Sequence, residues 1–303
     1  MNRNITEFFK IPESVRIPVI SGMNYRWLQS LDNKSIRKEK IVDPLNKEKR
    51  SKTITVSLTS YPKRINCVYL AIKSLMMQSY KPDRIVLWLA DEQFPTRELP
   101  HELTNLVQYG LEIKYCEQDL LGHKKYFYAV REQKENEILI TVDDDIIFPK
   151  NMIKRLMKKH EKHPDCVICE RGQVLDKSQL DMPGRWKTIS SIGVKDPTYS
   201  MNASPGGGML IPKGAFYSDI TDEEKVRALA FRADDVWNMF MCAQNGTKMI
   251  KTRKYHRTFS VILDSQVEQL ATGNVGGNHY AVVMEQLRKA YPEAWNRILN
   301  DKD

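Results

Sequence analysis

Three consecutive aspartates, Asp143, Asp144 and Asp145, follow directly on the apolar, partly β-branched run Ile138-Leu139-Ile140-Thr141-Val142. Such a run reads as a strand buried on both faces. The carboxylates at its end cannot follow it into the core, because an isolated buried charge costs several kcal/mol. They must meet solvent, a cation or a metal, and adjacent like charges favour something doubly positive between them. Hard carboxylate oxygens suit Mg2+ or Mn2+, which commonly bridge a carboxylate to substrate phosphates. Open α/β sheets also bind their ligands at the carboxyl ends of their strands. The plainer reading is an acidic turn ahead of the helix that Pro149 opens.

Two further features carry chemistry. Asp234-Asp235 precedes the apolar stretch Val236 to Met241, which reads as a helix ending near Gly246. One Asp can cap that helix and favour its positive end while the other points into a cleft. Gly206-Gly207-Gly208 leads into the strand Met209-Leu210-Ile211. A triple glycine there suggests a backbone surface, at Gly207 and Gly208, that approaches a ligand closely. The lone Cys166-Val167-Ile168-Cys169 has no second cysteine pair and reads as core thiols rather than a zinc or redox site.

The elements that must position these groups become legible at Thr53, where Thr53 to Ser60 alternates as a strand ending in the polar, basic loop Tyr61-Pro62-Lys63-Arg64. A helix carrying Val68, Ile72, Leu75 and Met76 follows, then a strand over 84–89 that ends at Asp91. Leu99 to Val107 is expected to be helical and to stop at Gly110, and Leu111, Ile113 and Tyr115 alternate as a third strand. Gly122-His123-Lys124-Lys125-Tyr126 is expected to open another helix before the strand that ends in the acidic triplet. Strand–helix units repeated four times imply a Rossmann-like, mostly parallel α/β sheet with right-handed crossovers. Residues 171–205 show little periodicity and are expected to form a long loop. Edge strands are expected over 248–251 and 258–263, a glycine-rich loop over 272–278, and an amphipathic C-terminal helix broken at Pro292. Its late apolar residues suit packing, with a role at a membrane interface left open.

Composition sets the outer bounds. The 303 residues are 41% hydrophobic and 28% charged, enough for a sizeable core. No apolar run approaches the roughly 18 residues of a membrane span, the N-terminus lacks the apolar core of a signal peptide, and five scattered cysteines suit a reducing compartment, so a cytoplasmic protein is expected. Net charge is +9, and residues 1–52 alone carry twelve Lys/Arg against six Asp/Glu, a net +6. That segment reads either as a solvated leader or as one drawn to phosphorylated substrate or anionic lipid at the inner face of a membrane. No nucleic-acid-binding motif is present, so nucleic acid is not an expected partner.

Taken together, Thr59-Ser60-Tyr61-Pro62-Lys63-Arg64 after a strand, Asp143-Asp144-Asp145 after another, a glycine run before a third and Asp234-Asp235 opening a helix resemble a GT-A-fold glycosyltransferase of the family 2 type. More closely, they resemble enzymes of bacterial capsule and lipopolysaccharide synthesis. The resemblance covers roughly residues 53–250. It implies a GT-A catalytic domain over 53–263, with a nucleotide-binding half over 53–145 and an acceptor half over 146–263. A basic extension (1–52) precedes it, and a C-terminal loop with amphipathic helices (264–303) follows.

The resemblance further implies transfer of a sugar from a nucleoside-diphosphate donor, UDP-linked, to a surface-glycan hydroxyl, on an acceptor that can be lipid-linked. Asp145 would hold the divalent cation, with Asp143 towards the metal and ribose; Asp144 belongs to the same donor site, and His279 is a late ligand. Ser60, Tyr61, Lys63, Arg64, Lys124, Lys125, Gly207 and Gly208 would face the nucleotide, with Asp91 near the base. Asp235, or its neighbour Asp234, would be the general base, and attack from that side would invert the anomeric centre. Two rivals are a nucleotidyltransferase of similar fold, whose glycine-rich loop is missing after the first strand, and a non-enzymatic peripheral membrane or scaffold protein.

Overall fold

The structure, a computed structural model, describes residues 23–177, 188–190, 194–253, 259–265 and 279–301. In chain order its strands are β1 (Thr53–Thr59), β2 (Arg84–Ala90), β3 (Leu111–Cys116), β4 (Glu137–Val142), β5 (Ile146–Ile147), β6 (Val167–Cys169), β7 (Gly172–Leu175), β8 (Thr188–Ser190), β9 (Met201–Ala203), β10 (Gly207–Ile211), β11 (Met249–Lys251) and β12 (Ser260–Val261). Its helices are α1 (Met23–Lys38), α2 (Val68–Met76), α3 (His101–Thr104), α4 (Lys124–Glu132), α5 (Met152–His160), α6 (Glu223–Lys225), α7 (Asp234–Asn245), α8 (His279–Ala290) and α9 (Pro292–Asn300).

Seven strands make one sheet in the order β11-β6-β10-β4-β1-β2-β3. The four strands β4, β1, β2 and β3 run parallel, as the repeated strand–helix pattern requires. β10 runs against both its neighbours, and β6 and β11 are parallel to each other. Alternation along β1 explains the layering. Ile54, Val56 and Leu58 join α2 and α5 in one core. On the opposite face the Ser57 hydroxyl donates to the Lys125 carbonyl of α4 at 2.6 Å. Because β10 is reversed, it begins where β4 ends: Gly207 pairs with Val142, and the Asp143 amide donates to the Gly206 carbonyl at 2.9 Å. The triplet and the glycine run therefore meet at one edge of the sheet.

Both extensions brace this edge. The side-chain amide of Asn33 on α1 donates to the Val261 carbonyl at 2.9 Å, and Asp32 accepts from the Ser260 hydroxyl. β12 pairs antiparallel with β5, and the Ile262 amide donates to the Asp145 carbonyl at 2.7 Å. At the other end of the chain, α8 and α9 pack on α7, burying Val283, Leu287, Trp295 and Ile298. The Trp295 and Phe240 rings lie parallel, 6.3 Å apart. These four residues are core, as the packing expectation has it, while Val282 and Leu299 remain exposed. Among the described residues no helix is long and apolar enough to cross a membrane.

Two expectations are corrected. The helix expected over 99–107 shrinks to the four residues of α3 and a 3-10 turn at Val107–Tyr109. Only Leu103 and Leu106 are buried there, too few to hold a longer helix, and Gly110 closes the turn with φ 93°. The loop expected over 171–205 instead contains β7, β8 and β9, a separate antiparallel sheet in the order β8-β7-β9. Backbone pairing sustains those short strands, and their few apolar positions leave no periodic signal. The glycine-rich loop expected over 272–278 lies outside the described residues.

If the C-terminal helices are part of the core, Trp295→Ala removes a large buried side chain and leaves a cavity against Phe240. It is expected to lower unfolding free energy by about 3–5 kcal/mol in denaturant titration.

Candidate active site

The aspartates of the triplet have different surroundings. Asp144 turns inward, where its carboxylate accepts from the Ser60 hydroxyl at 2.6 Å and from Arg64 Nη1 at 2.8 Å. Both partners come from the loop after β1, so this aspartate staples two strand ends together. Burial pushes the Asp144 carboxyl up, with Arg64 and Ser60 opposing. Asp143 and Asp145 face the other way. Asp143 is 37% exposed and accepts from Lys125 Nζ at 2.7 Å. Asp145 is 20% exposed and lies 3.0 Å from Arg64 Nη1. Burial and the neighbouring Asp143 charge push its carboxyl up to about 6.

Asp143 meets Lys125 through Oδ1, and Asp145 meets Arg64 through Oδ2. Among the described residues the cations paired with these five aspartates, the triplet and Asp234-Asp235, are Arg64 and Lys125, so negative charge is in excess there. No group of three or more His, Cys, Asp or Glu able to hold a metal ion occurs among the described residues. Two hard carboxylate oxygens fit Mg2+ or Mn2+ of the kind whose shell is completed by substrate phosphates and water. His279 begins α8, but its side chain lies outside the described atoms.

Lys125, on the first turn of α4, joins the two acidic groups. Its buried ammonium reaches Asp143 at 2.7 Å and Asp234 at 3.1 Å. Burial alone would lower its pKa, but the two carboxylates raise it above the ordinary lysine value. Lys124 turns the other way, to Asp119 and, at 3.4 Å, Gln93 beyond the ends of β2 and β3. Asp91 stands near them and pairs with exposed Arg97 at 2.7 Å. The Arg64 guanidinium lies over the Tyr61 ring at 5.6 Å, and Lys63 is exposed.

The glycine run packs against the protein's own side chains. A Cβ on Gly207 would meet the Arg171 stem at 3.0 Å, and one on Gly208, whose φ is 98°, would meet the Met152 sulfur at 3.1 Å. It is Gly206 whose missing Cβ leaves room for the Asp143 carboxylate. The space that a Cβ would fill at Gly207 and Gly208 thus faces protein side chains, and at Gly206 it faces the acidic triplet.

Neither Asp234 nor Asp235 is the N-cap of α7; Ala233 holds that position, and both aspartates lie in the first turn. Burial would raise the Asp234 carboxyl, but Lys125 and His123 hold it below the usual range. His123 itself is fully buried, and burial pushes it down toward the neutral form. It bonds the Ala230 carbonyl at 3.0 Å through Nε2 and meets the Tyr126 hydroxyl at Nδ1. Asp235 accepts from the Tyr280 hydroxyl at 2.9 Å, from Asn202 Nδ2 at 3.2 Å and from the Val236 amide at 2.9 Å. Burial and the adjacent Asp234 charge push the Asp235 carboxyl up to about 6. Neighbouring carboxyls driven apart in this way mark different roles: Asp234 is a fixed anion, and Asp235 can take up a proton near neutrality.

Sequence reasoning missed His123, Asn202 and Tyr280, and it did not place Gly206 beside Asp143. His123 was inside a segment already singled out; Asn202 fell in a stretch without periodicity, and Tyr280 is marked only by following His279.

Arg64 is the sole described cation paired with buried Asp144. Replacing it by methionine is expected to destabilise the fold by about 3–5 kcal/mol at pH 7. The carboxyl would then sit still further above its unfolded value, so the deficit should shrink as the pH falls and Asp144 protonates. Denaturation at pH 7 and pH 5 checks the sign.

Compared with known proteins, residues 58–218 match the profile of glycosyl transferase family 2. A search of curated proteins returned no match. Solved structures with a similar fold include TarS 1-349 of S. aureus, 14% identical over 67% of this chain and 59% of that one, with a TM-score of 0.43. The mannosyltransferase PcManGT from Pyrobaculum calidifontis, in complex with GDP-Man and Mn2+, is 13% identical over 77% of this chain and 64% of its own, with a TM-score of 0.41. GalNAc-T7 with UDP, GalNAc and Mn2+ is 11% identical over 76% and 51% respectively, with a TM-score of 0.46. This chain spans less than two thirds of the length of each.

Proposed function

The chain belongs to glycosyl transferase family 2, and from that premise we propose that it transfers a sugar from a nucleoside-diphosphate donor, UDP-linked, to a hydroxyl of a bacterial surface-polysaccharide acceptor, inverting the anomeric centre. The observation that carries the reading is the pairing of two acidic groups through Lys125. The partly open Asp143 and Asp145 stand on one side of it, and Asp235, a carboxyl raised to about 6, stands beyond Asp234 on the other.

In this reading Asp143 and Asp145 hold Mg2+ or Mn2+, which when bound offsets the negative charge that develops on the departing diphosphate. Arg64 and Lys125 fix those carboxylates. Asp235 takes the proton from the acceptor hydroxyl as its oxygen attacks the anomeric carbon opposite the leaving group, and that geometry gives inversion. Asp234, held ionised by Lys125, keeps a negative charge beside Asp235 and so maintains its raised proton affinity. Tyr61, Lys63 and Asp91, around the ends of β1 and β2, would face the nucleotide, with buried Ser60 acting through Asp144. The basic segment 1–52 would bring the enzyme to the anionic inner face of a membrane, where a lipid-linked acceptor is found; its net +6 supports that placement.

Hydrolysis measured on a panel of sugar nucleotides, with and without Mn2+, tests the reading. The wild type is expected to turn over one donor in the presence of metal, and Asp145→Ala to lose about 10²-fold or more while remaining folded. Equal turnover by both would overturn the assignment.

Asp235 works as the ionised base, so activity is present above its pKa and lost as the pH falls through it. With the carboxyl at about 6, transfer kcat/KM should decline below roughly pH 6, about tenfold per unit, and Asp235→Asn should remove most of the activity at every pH.

A further inference from the structure

The C-terminal segment lies outside the residues matched to the family, yet it supplies a direct partner of the carboxylate read above as the base. Two side chains from separate elements converge on one oxygen. Tyr280 Oη of α8 donates to Asp235 Oδ2 at 2.9 Å, and Asn202 Nδ2 of β9 donates to the same atom at 3.2 Å. The other oxygen, Oδ1, accepts from the Val236 amide at 2.9 Å. The Asn202 amide is held for this contact at some expense: its Oδ1 is buried and has no hydrogen-bond partner among the described residues.

β9 is fixed in turn by β7, with Gln173 paired to Asn202 and Gly172 to Ala203. α8 is fixed by burial of Val283, Met284 and Leu287 against the α7 core. Rotation of the Asp235 carboxylate is therefore restrained from three directions, its own helix, the small sheet and the C-terminal helix. The charged or titratable groups facing it are few. Asp234 is its neighbour on α7, with Lys125 and His123 of the α4 end acting through Asp234, and Tyr280 faces it from α8. Asn202 is the neutral partner from β9.

We propose that Tyr280 and Asn202 are positioning residues for Asp235, holding its Oδ2 so that the carboxylate keeps one orientation toward the acceptor hydroxyl and stays ionised at working pH. The inference rests on Asp235 being the base. Each contact is a hydrogen bond to the charged form, which it favours over the protonated one. Removing a donor therefore raises the proton affinity of the carboxylate. The tyrosine hydroxyl is itself raised above the ordinary value by burial and by Asp235, so it remains a donor throughout the working range.

The test is the pH profile of kcat/KM for transfer in the full-length protein, using the sugar nucleotide that the wild type turns over. Tyr280→Phe and Asn202→Ala are each expected to move the acid limb up by roughly half to one unit and to lower kcat severalfold, with KM for the donor unchanged. The double variant should move it further. Thermal unfolding identifies any variant that fails to fold; because the two residues sit on different elements, either variant alone carries the test. An unshifted limb in both folded variants, or an equal loss at all pH values, overturns the inference while leaving Asp235 as the base. Retention of transfer by Asp235→Asn overturns the underlying reading instead.

Discussion

The site is organised around one buried ammonium. Lys125 is 5% exposed and reaches Asp143 on the strand end and Asp234 on the helix start at the same time. A buried lysine without counter-charges would lose its proton or disrupt the fold, because desolvation disfavours its charged form. With two carboxylates it stays charged and draws the end of β4, the start of α4 and the start of α7 to a common point. The backbone is held as well, since the Ser57 hydroxyl of β1 donates to the Lys125 carbonyl. Removing Lys125 leaves both carboxylates without their cation, whereas removing either carboxylate leaves a single ion pair.

Arg64 plays the matching part on the other face of the triplet. It holds Asp144 buried and shares Asp145, so three consecutive like charges are separated into one structural carboxylate and two that are partly open. This separation follows from the turn that the chain makes at Asp144 and Asp145 between β4 and β5. The partly open pair keeps the negative excess that suits a divalent ion and a phosphate. The same logic separates Asp234 from Asp235: one lies against a cation, and the other lies against neutral donors and its anionic neighbour.

The two terminal segments, which carry no recognisable motif, turn out to brace the site. α1 holds β12, and through Ile262 it holds the backbone of Asp145. α8 holds Asp235 through Tyr280. A site whose carboxylates lie this close together needs such support, because mutual repulsion would otherwise splay them. The short sheet β8-β7-β9 adds the third support by carrying Asn202.

By itself the sequence determined the chemistry-bearing strand ends. The apolar runs ahead of Asp143 and Ser60 can only be buried strands, and polar groups at their ends must emerge at an edge, so the α/β sheet and the grouping of the acidic triplet were legible. Lys125 was singled out for a nucleotide, but its joint hold on Asp143 and Asp234 was not foreseen, since it depends on residues 18 and 109 positions away. Which glycine clears the Asp143 carboxylate, which of the two aspartates in the first turn of α7 is left without a cation, and the arrival of Asn202 and Tyr280 beside it were decided by tertiary structure alone. Local patterning reports burial of a segment against whatever covers it. It carries no record of which distant side chain fills the space next to a given oxygen, and proton affinity is set by those neighbours.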